Sequence, residues 1–225
     1  MKKTLLLVLA AVTLTACQTA TKPVPTKPTT PVAADSSLPN RVEATVPELN
    51  LTYTYDATVF QKPVRMGDKA VLYRQGEPAA GAGTLRLTFN KPGEQPEYET
   101  WLSDFAGEIV TESTVQTLCD NARWPKGMFV QCRIMREPIP HAEFYVGMAL
   151  PGGTFALHKA AVFPTGDAAR PGLFIDTVIE DAPADLLDAK NEAHVTSALE
   201  QLASGKANSR LVTEFNRVVG SVTFE

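Results

Sequence analysis

The sequence predicts an α+β domain built on a mostly antiparallel sheet with flanking helices. Three observations predict it. Apolar and polar residues alternate in short runs, glycine and proline turn signals separate several of those runs, and helical spacing takes over toward the C-terminus.

Leu49, Leu51, Tyr53 and Tyr55 would share one strand face, opposite Asn50, Thr52 and Thr54. Leu85, Leu87 and Phe89 repeat the pattern against Thr84, Arg86 and Thr88, and Val71 with Tyr73 suggests a short strand between them. A helix is expected next. Pro96 suits a first turn, and Tyr98, Trp101, Leu102 and Phe105 fall at i, i+3, i+4 and i+7. Gly107 would end it, and a second short helical stretch would run toward Cys119. A central meander is expected over about 128–180. Met128, Val130, Cys132 and Ile134 alternate inward, and Phe144, Val146, Met148 and Leu150 follow. Pro151-Gly152-Gly153 then turns the chain into Phe155 and Leu157. A fourth strand, about Leu173 to Glu180, would follow a loop from Pro164 to Gly172.

The remainder reads as helical. Asp181 or Asp185 is expected to cap a first stretch, and Val195, Ala198, Leu199 and Leu202 mark a helix face that stops at Gly205. Leu211, Val212, Phe215, Val218 and Val219 suggest a last helix, although their β-branched content leaves a strand open. Ser221 to Phe224 suits a closing edge strand.

The N-terminus carries a different kind of signal. Lys2 and Lys3 form a short positive region, and the apolar run Leu5 to Val12 follows. That run is shorter than the roughly 20 apolar residues a membrane-spanning helix needs. It closes on Leu14-Thr15-Ala16-Cys17, which resembles the lipobox of bacterial lipoproteins. The resemblance covers about 20 residues and implies cleavage before Cys17, with acyl chains such as palmitate attached there. Each buried CH2 contributes about 0.8 kcal/mol, so several chains anchor a protein durably. Gln18 stands where inner-membrane lipoproteins of enteric-type bacteria usually carry Asp, so the outer membrane is the expected site, with the domain in the periplasm or at the cell surface.

Three segments follow from this reading: a signal peptide over 1–16, the lipidated cysteine and a Pro/Thr-rich tether over 17–40, and one α+β domain over 41–225. Prolines at 23, 25, 28, 31 and 39 favour an extended, polyproline-like tether that holds the domain away from its membrane. With Cys17 taken by lipid, Cys119 and Cys132 remain as an even pair in an oxidising compartment. A structural disulfide is expected, with two free thiols as the alternative. Their spacing differs from the C-x-x-C of redox-active pairs.

Charge narrows the function classes. The formal charge of −4 becomes about −6 once Lys2 and Lys3 leave with the signal, so the chain offers no general basic surface to nucleic acid. The sequence contains no G-x-S-x-G elbow, H-E-x-x-H, P-loop or G-x-G-x-x-G. Neither a metal site nor a cofactor is expected. On a strand, His141, Glu143 and Tyr145 would project to one face as a ligand or acid/base cluster, or as the solvent-facing side opposite Phe144 and Val146. Glu180, Asp181, Asp185 and Asp188 could bind Ca2+, but acids at a helix start are expected from the helix dipole alone. Trp124, flanked by Arg123 and Lys126 within the expected disulfide loop, is a candidate recognition surface, whereas Trp101 reads as core. The function expected from all this is a non-enzymatic binding or assembly module for an envelope protein or polymer. The alternatives are a periplasmic hydrolase around His141 and Glu143, and a small-ligand carrier with a cavity lined by Phe144, Met148 and Phe155.

Overall fold

Ten strands and four helices follow one another among the described residues of the computed structural model, which are 40–47, 50–67, 69–76, 84–90, 110–121, 128–167 and 169–224. In chain order these are β1 (Arg41–Val46), β2 (Leu51–Asp56), β3 (Val64–Met66), β4 (Lys69–Leu72), β5 (Leu85–Asn90), α1 (Glu112–Asn121), β6 (Met128–Met135) and β7 (His141–Ala149). Then come β8 (Phe155–Asp167), β9 (Arg170–Ile179), α2 (Ala184–Leu187), α3 (Glu192–Ala203), α4 (Arg210–Val219) and β10 (Thr223–Phe224). The α+β expectation is met, and every strand pairing is antiparallel.

Two sheets result. One has the order β1-β2-β10, and the other has the order β3-β4-β5-β9-β8-β7-β6. The expected meander is the run β6-β7-β8-β9 within the larger sheet, with β5 added at its open side. Gly152 and Gly153 adopt positive φ at the turn between β7 and β8, which explains why the chain needs glycine there. The fourth strand begins earlier than its hydropathy suggests. Residues 164–172 form no long loop: β8 continues through Pro164 to Asp167, and β9 starts at Arg170. A register shift between Pro164 and Asp167 accommodates the proline, which has no N–H to give the ladder.

Side-chain alternation sorts the larger sheet into two covered faces. On one, Ala142, Phe144, Val146, Ala160, Val162 and Phe174 meet Val115 and Leu118 of α1. On the other, Ala161, Phe163, Leu173 and Ile175 pack against the small sheet and against Leu211 and Phe215 of α4. Tyr145, Leu157 and Ile179 of that same face meet Leu186 of α2 and Val195 and Leu199 of α3. Phe144 and Phe155 belong to clusters on opposite faces, so Phe144, Met148 and Phe155 do not line a common cavity.

The helix ends correct one sequence expectation. Pro183 is the N-cap of α2, and its side chain offers no capping bond. Asp181 instead reaches across space to α4, where it accepts from the Leu211 amide at 2.8 Å and the Ser209 hydroxyl at 2.5 Å. Ser209 caps the same helix through the Val212 amide, and Asn191 caps α3 through the His194 amide. Gly205, at φ +71°, follows the end of α3 as expected. No helix among the described residues is long and apolar enough to cross a membrane.

Cys119 of α1 and Cys132 of β6 form the expected disulfide, with their Cα atoms 5.8 Å apart. It staples α1 to the edge strand it covers. Reduction is expected to cost about 3 kcal/mol, read as a lower denaturation midpoint in the presence of dithiothreitol. Hydrogen exchange in α1 should rise before exchange in β8 and β9. Unchanged α1 protection after reduction would show that packing alone seats the helix.

Candidate functional site: a buried polar seam along β7

Strand β7 alternates as the sequence implies. Phe144 and Val146 point to one side, and His141, Glu143 and Tyr145 to the other. The second side does not face solvent, which corrects the expectation that this triplet could be the solvent-facing side of the strand. Exposure is 1% for His141, 4% for Glu143 and 2% for Tyr145. The cause is tertiary: the small sheet and helices α3 and α4 cover a face that local hydropathy marks as polar.

The seam closes around a residue from the next strand. Lys159 of β8 is the register partner of Tyr145 and is fully buried. Its ammonium donates to the Tyr145 hydroxyl at 2.8 Å, lies 3.0 Å from Glu143 Oε2, and donates to Asn216 Oδ1 of α4. An ammonium carries three N–H groups; Tyr145 and Asn216 accept from two of them here, and Glu143 pairs with the charge. The Nζ also sits 4.5 Å from the centroid of the Tyr145 ring and 5.0 Å from that of Phe215. Five side chains from two strands and one helix are thereby joined. Asn216 is exposed, so the seam ends directly beneath the outer surface of α4.

His141 occupies the other end of the row. Its Nδ1 lies 2.7 Å from the Ile139 carbonyl oxygen, and its ring stacks on Phe163. Burial holds the imidazole below its ordinary range, against the opposing pull of the Ile139 carbonyl and of Glu143. A second buried node lies between α4 and the small sheet. Arg41 donates to the Thr54 carbonyl at 2.8 Å and stands 3.7 Å from Glu214, which Arg217 also contacts. The Tyr53 hydroxyl, buried in the core cluster that also holds Leu211 and Phe215 of α4, has its pKa pushed up by burial.

Chemically, the Lys159 arrangement is a cross-link between layers. Attack by this amine would require it to lose a proton and to leave three acceptors. Glu143 is likewise engaged by the ammonium, so neither side chain is poised as a free acid or base. Lys159 and Asn216 were not among the residues the sequence singled out. The available signal was a lysine directly before the apolar run Ala160 to Phe163 and two residues after Leu157, on the same strand face as Leu157, Ala161 and Phe163.

The other candidates are placed as follows. Glu180, Asp185 and Asp188 are exposed, Asp188 pairs with Lys190 at 3.0 Å, and Asp181 caps α4. Among the described residues no group of three or more His, Cys, Asp or Glu side chains is arranged to hold a metal ion. Cys17, the tether, the helix expected around Trp101, and the Arg123, Trp124 and Lys126 surface lie outside the described residues. No family model matches the chain, and no curated protein matches it.

Proposed function

We propose that this chain is a lipoprotein of the bacterial envelope, held in the outer membrane through Cys17, whose folded part is a non-enzymatic binding or assembly module for a protein or envelope polymer. One observation carries the reading: the lipobox-like Leu14-Thr15-Ala16-Cys17 is followed directly by a proline-rich stretch and then by the folded part. That order describes a module tethered at a distance from its membrane. Engagement of Lys159, Glu143 and Tyr145 with one another supports it, because the side chains best suited to acid/base work are committed to packing.

The anchor is tested by expressing the full chain in a Gram-negative host fed an alkyne analogue of palmitate. Wild type is expected to take up label and to fractionate with the outer membrane. Cys17→Ser should abolish labelling, and Gln18→Asp should move the labelled chain to the inner membrane. An unlabelled wild-type chain overturns the anchor. The module is tested by photo-crosslinking from exposed positions such as Met66 and Leu150 in intact cells. A reproducible, saturable product with one envelope component is expected, and turnover of an envelope polymer by the purified chain would overturn the non-enzymatic reading.

A further inference from the structure

The His141 ring lies in an aromatic row that joins the two sheets. It stacks on Phe163 of β8 at 4.4 Å between centroids, and Phe163 meets Phe224 of β10 edge-on at 6.2 Å. Strand β10 belongs to the three-stranded sheet, so the row crosses from one sheet to the other. The contacts also set the ring's protonation state. The Ile139 carbonyl oxygen can only accept, so Nδ1 carries the proton. Nε2 is then a bare lone pair, buried and without a hydrogen-bond partner among the described residues.

A proton arriving at Nε2 would create a buried N–H with no acceptor and a charge in an apolar layer. Among the described residues, two charged groups act on the ring: Glu143 from its own strand attracts a positive imidazole, and Lys159 from β8 repels it. These two are joined to each other at 3.0 Å, so their fields at the ring largely oppose. From β6 the register partner is Met135, and β10 reaches the ring through Phe163 by way of Phe224. Neither brings a charge.

We propose that His141 is an acid-sensitive latch: while neutral it holds the three-stranded sheet against the seven-stranded one, and its protonation loosens that seam. The pH window follows from linkage. An unfolded imidazole titrates near 6.5, and burial places the folded one lower. The open form therefore takes the proton first as the medium acidifies. Stability from the neutral ring is whole above about pH 6.5 and is lost as pH falls toward the folded-state value. The closed-to-open ratio drops about tenfold per pH unit across that window and then levels.

Hydrogen exchange of the full chain at about pH 7.5 and about pH 5, corrected for intrinsic rates, tests the latch. Amides of β10 and of its partner β2 are expected to lose protection in acid, whereas those of α1, stapled by its disulfide, keep theirs. His141→Phe preserves the aromatic row and should abolish the acid-induced loss. Equal protection of β10 at both pH values, or a loss that persists in His141→Phe, overturns the proposal. Long-range nitrogen–proton NMR of the wild-type imidazoles gives a readout that needs no variant. His141 should show the Nδ1–H tautomer and titrate below the ordinary imidazole value near 6.5. An Nε2–H tautomer, or titration at or above that ordinary value, overturns it equally.

Discussion

Lys159→Met is expected to destabilise the protein by about 3–5 kcal/mol, the range for removing one partner of a buried ion pair. The apolar stem of methionine replaces that of lysine, so the packing loss is small. What remains is a Glu143 carboxylate at 4% exposure with its cation gone, and two further acceptors, Tyr145 and Asn216, that have lost their donor. Urea denaturation of wild type and variant reads the difference directly. Adding Glu143→Leu to Lys159→Met removes the orphaned charge and is expected to recover a large share of the loss. An ion pair replaced whole by apolar side chains is often neutral in stability. A single variant costing under about 1 kcal/mol would mean that solvent reaches the pair and screens it.

Gly147→Ala is the second large effect. A Cβ at this position of β7 would stand far inside contact distance of Val195 Cγ1 of α3. Either Val195 must change rotamer in a packed cluster with Leu199 and Leu202, or α3 must lift from the sheet. Overpacking of this kind costs about 1–3 kcal/mol. The reciprocal variant checks the cause. Val195→Ala alone should destabilise by leaving a cavity, yet Gly147→Ala combined with Val195→Ala should be more stable than the two separate losses predict. Additive losses would place the strain of Gly147→Ala somewhere other than Val195.

Much of the fold was legible from periodicity alone. Leu51, Tyr53 and Tyr55 are buried on one face of β2 as their spacing requires, and α3 and α4 run where helical spacing places them. Strands β1 and β3 were missed for different reasons. Arg41–Val46 does alternate, Val42, Ala44 and Val46 against Arg41, Glu43 and Thr45, but it directly follows the proline-rich tether, and Val64–Met66 spans only three exposed residues, too few for its apolar pair to stand out as a period. The Pro164 to Gly172 stretch read as a loop because proline and glycine are turn formers; ladder pairing from β8 to β9 overrides that preference up to the hairpin tip.

The candidate site was half legible. Spacing of two along a strand places His141, Glu143 and Tyr145 on one face whatever surrounds them. It carries no information about what covers that face, since the cover comes from residues 51–55, 192–203 and 211–224, far away in the chain. Lys159 completes the seam through strand register, and register is a property of the hairpin as a whole.

By itself, then, the sequence determined the strand and helix periods, the turn at Gly152-Gly153, the stop of α3 at Gly205 and the pairing partner available to Cys119. These depend on neighbours within a few residues, or on a count of cysteines. Tertiary structure alone decided that the polar side of β7 lies inside, that Asp181 caps α4 instead of α2, and that Gly147 must be glycine because α3 crosses it closely. Each depends on which distant surface docks where, and a local pattern is silent about its cover until the layers close.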